Sequence, residues 1–106
     1  AYINNNGVTN STDDGVSVEY SDGTLVTSNT VTTAGGDGVY VLTSDYTLVD
    51  GNTISDIGEN GVYISNSDNV DVTDNGISDV DGHGVKVNPS DYVEVANNTI
   101  TDIGLD

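Results

Sequence analysis

The chain has 106 residues, no Cys, Met, Trp or Phe, and a formal net charge of −17, from eighteen acids against a single basic residue, Lys86. Phosphate contacts need Lys and Arg, so nucleic acid and anionic membrane surfaces are expected to be poor partners. Disulfides and thiolate metal sites go with the missing cysteines, and no run approaches the roughly 20 apolar residues of a membrane span.

Asn6, Asn29, Asn52, Asn75 and Asn98 recur every 23 residues without a gap. Other columns keep the same step: Gly15, Gly38, Gly61 and Gly84; the Ser-Asp pairs ending in Asp22, Asp45, Asp68 and Asp91; and Val26, Val49, Val72 and Val95. Self-similarity at such a period marks a repeat protein in which each repeat is one supersecondary unit. Within a repeat, three short segments alternate apolar and polar with period two, the strand signal. In chain order they are Thr30-Val31-Thr32, then Val39-Tyr40-Val41, then Thr47-Leu48-Val49, each with counterparts in the other rows. The inward set is Val31, Ala34, Val39, Val41, Thr47, Val49 and their equivalents. A thin core of stacked β-branched side chains suits a chain without larger apolar residues.

The expected fold is all-β: a parallel β-helix, or solenoid, with three strands per 23-residue coil, and 106 residues at 23 per coil make about 4.6 coils. It forms one domain, 1–106, with coils at 6–28, 29–51, 52–74 and 75–97 and partial coils at 1–5 and 98–106. Coils about 4.8 Å apart make a stack about 22 Å tall. Between strands, the glycine column stands where φ > 0 or a close approach of stacked backbone excludes a Cβ, and the Ser-Asp and Asn columns suit turns that bond local backbone. The asparagines are expected to form a ladder fixing the register of the coils.

The succession G-V-x-V, S-D, V-x-V and N-x-I resembles the right-handed parallel β-helix repeat of the pectate-lyase-like superfamily, over essentially the whole chain. The resemblance implies a right-handed coil, with the asparagine ladder at the tight turn between the second and third sheets. Polysaccharide-acting members hold substrate on the outer face of the first sheet and the turn before it. Carried over, that puts Tyr40, Tyr63 and Lys86 in one outward column, with Asp14, Asp37, Asn60 and His83 in the neighbouring turn column. Tyr rings offer faces for sugars, and Lys86 a charge for a uronate. Catalysis is not expected: lyases of this fold use a basic proton-abstracting group, and this chain has no Arg and one Lys.

Two further columns bear on partners. Asp22, Asp45, Asp68 and Asp91 stack like charges, at a cost on the order of 1 kcal/mol per adjacent pair in water. Bridging Ca²⁺ relieves that cost at a metal site; screened turn formers in a salty medium are the other reading. No cofactor is required on either reading. Tyr2, Leu25 and Leu48 share an outward column and are the candidate lateral contact, while the outward Thr and Ser of the Thr30-Val31-Thr32 strands form a hydroxyl array interrupted at Gly7 and Gly76. Neither end shows a capping helix, so both end coils are expected to meet more β-helix, either as part of a longer protein or as copies of the chain stacked end to end. In the second case nine positions, including one first-sheet strand, are missing at each junction. The expected role is that of a structural module, extracellular or on a cell surface, with a polysaccharide-binding module as the alternative.

Overall fold

The computed structural model describes residues 1–105, so the last position of the expected partial coil, Asp106, lies outside the described residues. Fourteen strands and no helix make up the fold among them. The first sheet contains β3 (Val16–Glu19), β6 (Val39–Leu42), β9 (Val62–Ser65) and β12 (Val85–Asn88). The second stacks β1 (Tyr2–Asn4), β4 (Leu25–Thr27), β7 (Leu48–Asp50), β10 (Asp71–Thr73) and β13 (Glu94–Ala96). The third stacks β2 (Gly7–Ser11), β5 (Thr30–Ala34), β8 (Thr53–Ile57), β11 (Gly76–Val80) and β14 (Thr99–Ile103). Every pairing is parallel and joins residues one repeat apart, as in Val39↔Val62, Val26↔Val49 and Val31↔Ile54. The block measures 27 × 26 × 23 Å, about as tall as it is broad.

Parallel strands within one coil spacing need side chains of like shape above one another, and the core supplies them. Val26, Val49 and Val72 form one buried column, Val39 and Val62 another, and Val31, Ile54 and Ile77 a third. At roughly 1.5–3 kcal/mol for each fully buried Val or Ile, these columns are the main favourable term of the fold.

Three strand details differ from expectation. The third-sheet strands run five residues, with burial that breaks strict alternation: Val31 and Ala34 point in while Thr32 and Thr33 both lie on the outer side. Thr33 has φ 65°, and Asn10, Asp56, Asp79 and Asp102 repeat that left-handed conformation in the same column. This is a bulge-like extra residue. Because every coil carries it, Ala34 still pairs with Ile57 and the ladder is unbroken. The second-sheet strands begin one residue later than predicted, at Leu48 rather than Thr47, because Thr47 is buried in the turn and donates its hydroxyl to the Ser44 carbonyl at 3.0 Å.

The glycine column is explained by close approach alone. None of Gly15, Gly38, Gly61 and Gly84 has a positive φ, and a Cβ on Gly38 would stand 2.5 Å from the Gly61 carbonyl oxygen. Left-handed corners fall mainly on other residues, as in the column Asn5, Ser28, Gly51, Asp74 and Asn97 just before the asparagine ladder. Asn and Asp accept this conformation better than most side chains because they bond local backbone.

Candidate functional site

Four side-chain ladders run along the solenoid, and each ties a turn to its neighbour one coil away. In the asparagine ladder, Asn52 donates its backbone N–H and its side-chain Nδ2 to Asn75 Oδ1 at 2.9 and 3.0 Å, and Nδ2 also donates to the Val26 carbonyl at 2.9 Å. Asn29 and Asn75 repeat the pattern, while Asn6 and Asn98 form the ends of the ladder with part of it. In the serine ladder, the backbone N–H of Ser44 donates to Ser67 Oγ at 2.8 Å. Beside it, the N–H of Asp45 donates to Asp22 Oδ1 at 2.8 Å, and Asp68 and Asp91 continue the series. One oxygen of each of Asp22, Asp45 and Asp68 therefore serves the fold, and the hydrogen bond offsets part of the repulsion between stacked carboxylates. Among the described residues no group of three or more His, Cys, Asp or Glu is arranged to hold a metal ion.

The fourth ladder is the turn column before the first sheet. Asp37 N–H donates to Asp14 Oδ1 at 2.8 Å, Asn60 N–H to Asp37 Oδ1 at 2.9 Å, and His83 N–H to Asn60 Oδ1 at 2.9 Å. Residues that the resemblance placed beside a substrate thus hold the coil stack together. Asp37 is buried and Asp14 half-buried. Burial pushes both carboxyls above their usual value against the opposing hydrogen bonds, and neighbouring acids, including Glu59, add to the rise. A raised carboxyl binds its proton more tightly in the folded state. Its stabilising contribution is therefore complete below the unfolded value near 3.8 and is lost as pH rises through the folded value. The repulsion of a −17 chain has the same sign. The unfolding midpoint is therefore expected to rise as pH falls from 7 toward 4.5 at fixed ionic strength, the reverse of ordinary acid denaturation. Asp37→Asn, which copies Asn60 one coil on, should flatten that rise.

Tyr40, Tyr63 and Lys86 do come together on the outer face of the first sheet. The two rings lie 5.3 Å apart between centroids and 32° from parallel, and Lys86 Nζ lies 5.3 Å from the centre of the Tyr63 ring. The rings pack against each other and against the cation, so this column also stacks coil on coil. Burial, with Tyr63 and the acids nearby, raises the Tyr40 hydroxyl above its usual value. Tyr2, Leu25 and Leu48 are consecutive partners in the second sheet, with Tyr2 66% and Leu25 40% exposed and Leu48 half-buried, and Asp71 and Glu94 continue the column.

An open groove of about 770 Å³ was not anticipated. It runs beside the third sheet past Thr33, Asp56, Asp79, Asp81 and Asp102, with Gly35, Gly58 and Gly104 in its lining. Three of its acids, Asp56, Asp79 and Asp102, stand at the bulge position, and Asp81 shares the column of Gly35, Gly58 and Gly104. The recurring Ser55-Asp56, Ser78-Asp79 and Thr101-Asp102 pairs are the sequence signal that marked it.

Three sheets of parallel strands, one strand of each per coil, with turns locked by side-chain ladders, define a parallel β-solenoid. The family model described as "right handed beta helix region" matches residues 1–105, and the chain belongs to that family. Comparison with curated proteins and with solved structures finds no match.

Proposed function

We propose that this chain is a non-catalytic structural module of an extracellular or cell-surface protein, whose end coils stack on further β-helix, with copies of itself as the partner. The supporting observation is the outer face of the last described coil. Val87, Val95 and Ile100 are 41–45% exposed there, whereas their counterparts one coil earlier, Ile64, Val72 and Ile77, are at most 1% exposed. With Gly84, Val85, Ile103 and Leu105 they line an apolar hollow. One more coil in register removes these side chains from water and pairs the open strand edges. A second copy set down in phase would place its β1 on β13 and its β2 on β14, covering Val95 and Ile100, while β12 with Val87 lacks a partner strand at the nine-position gap of each junction. Heterologous contacts of this kind do not close, so they propagate as a filament. The outward Tyr2, Leu25 and Leu48 column adds a lateral contact between filaments.

Electron microscopy at rising concentration, with and without Ca²⁺, tests this reading. Unbranched fibres one solenoid wide are expected, Val95→Asp should abolish them, and Leu48→Asp should leave single fibres but prevent bundling. Monomers at every concentration would overturn self-stacking. The contiguous Tyr40, Tyr63 and Lys86 column favours a second reading, a polysaccharide-binding module. On that reading, saturable binding to an acidic glycan falls with Tyr63→Ala.

A further inference from the structure

The three sheets treat their outward hydroxyls differently. On the other two sheets and their turns several hydroxyls are tied down: Ser17 to Glu19 at 2.7 Å, Thr27 to Asn4 at 2.8 Å, Thr73 to Asp50 at 2.7 Å, and Thr24 and Thr47 to turn carbonyls. On the third sheet none of the outward hydroxyls, Thr30, Thr32, Thr53, Ser55, Thr99 and Thr101 among them, makes a hydrogen bond within the described residues. They are aligned in two columns by an unshifted register: Gly7, Thr30, Thr53, Gly76, Thr99 and, two residues along, Thr9, Thr32, Ser55, Ser78, Thr101.

This is also the one sheet whose two outward columns carry no charge. The first sheet presents Glu19 and Lys86, and the second presents Asp50, Asp71 and Glu94. In a chain with eighteen acids, an uncharged face five strands wide is a distinct surface. The acids Asp56, Asp79 and Asp102 begin only at the next column, on the rim of the groove.

We infer that the outer face of the third sheet is an ice-binding surface, its ligand the ordered lattice of crystalline water. The first argument is spacing. Oxygens joined by hydrogen bonds of about 2.8 Å at the tetrahedral angle put second neighbours about 4.5 Å apart. Equivalent hydroxyls on successive coils repeat at about 4.8 Å, a mismatch of a few tenths of an ångström per step that sums to about 1 Å across five coils and is shared among freely rotating hydroxyls. The second argument is preorganisation. β-Branched Thr is stiff at χ1 and the ladders hold the coils in register, so waters are placed without first ordering the protein. The third is charge: an ionised group orients water radially about itself and competes with a tetrahedral lattice, and these columns have none. The lack of aromatic rings in the third-sheet strands distinguishes the face from a sugar-binding cleft, which would offer stacking surfaces.

Gly7 and Gly76 are gaps in the first column rather than obstacles. Neither has a positive φ, and a Cβ built on either meets nothing within 4 Å. A threonine therefore fits at position 76 and lengthens the unbroken run from Thr30 and Thr53 to Thr99.

The test is partition of the chain into slowly growing ice, with the gap between freezing and melting temperatures measured on the same samples. Wild type is expected to be enriched in the ice fraction and to open a gap. Thr53→Asp, at an exposed strand position, should lose both, and Gly76→Thr should increase both, each with an unfolding midpoint close to wild type to show that the fold is intact. Exclusion of wild type from ice to the same degree as Thr53→Asp would overturn the assignment. So would retention on crystalline cellulose or chitin, sensitive to Thr53→Asp, without enrichment in ice; that would identify the ligand as a neutral glycan. The gain expected of Gly76→Thr keeps the inference falsifiable even if Thr53→Asp proves unstable.

Discussion

Asn52→Ala is expected to cost about 3 kcal/mol or more, a large fraction of the roughly 5–15 kcal/mol that holds a domain folded. Asn52 is 1% exposed and serves three neighbours. Its Oδ1 accepts the Asn29 backbone N–H at 2.9 Å and Asn29 Nδ2 at 3.0 Å, and its own Nδ2 reaches the Val26 carbonyl and Asn75 Oδ1. Removing the amide orphans a buried Asn29 N–H, strips a donor from Val26 and leaves a cavity, and a buried donor without a partner costs about 1–3 kcal/mol by itself. The same substitution at Asn6 removes donors but no acceptor in use, at an exposed end of the ladder, and should cost about 1 kcal/mol. Urea unfolding of the two variants measures the difference. Equal, small costs would mean that the backbone ladders alone set the register.

Gly61→Ala and Gly76→Ala should differ in sign. A Cβ on Gly61 would stand 2.5 Å from the Gly84 carbonyl oxygen and 2.6 Å from Ile77 Cγ2. The first neighbour is backbone of the next coil and the second is a core side chain at 1% exposure, so neither can move without opening the stack. A cost of about 3 kcal/mol is expected, at the upper end for overpacking. Gly76 has open space at the same test, and alanine there reduces the freedom of the unfolded chain, for a gain of about 0.4–1 kcal/mol. Thermal midpoints on the two variants decide the matter, and a Gly61→Ala protein as stable as wild type would show that the coils can separate locally at no cost.

Much of the candidate first-sheet site could be read from the chain, though its chemistry reads differently in three dimensions. Tyr40, Tyr63 and Lys86 do share a column, because strand alternation and a gapless period leave no other arrangement. That the rings pack on each other and under Lys86 depends on side-chain rotamers, which periodicity does not specify. Asp14, Asp37, Asn60 and His83 also share a column as expected, yet their backbone and side chains close a ladder rather than wait for a ligand. The acidic groove went unseen although Val31 and Ala34 are both expected inward, because the left-handed conformation at Thr33 and its column, which sets those side chains on the groove rim, is not announced by periodicity.

By itself the sequence determined coil length, strand number, inward columns and inter-coil register: a strict 23-residue translation forces like residues to stack, and only Val, Ile and small polar side chains fit such columns. Tertiary structure alone decided which columns are tied and which are free. Whether a hydroxyl, carboxylate or ring finds a partner depends on the neighbouring coil's backbone and on the left-handed corners that aim each turn. Those corners sit on Asn, Asp, Thr and Tyr as well as Gly, where local preference is too weak to announce them and the stacked neighbours hold them in place.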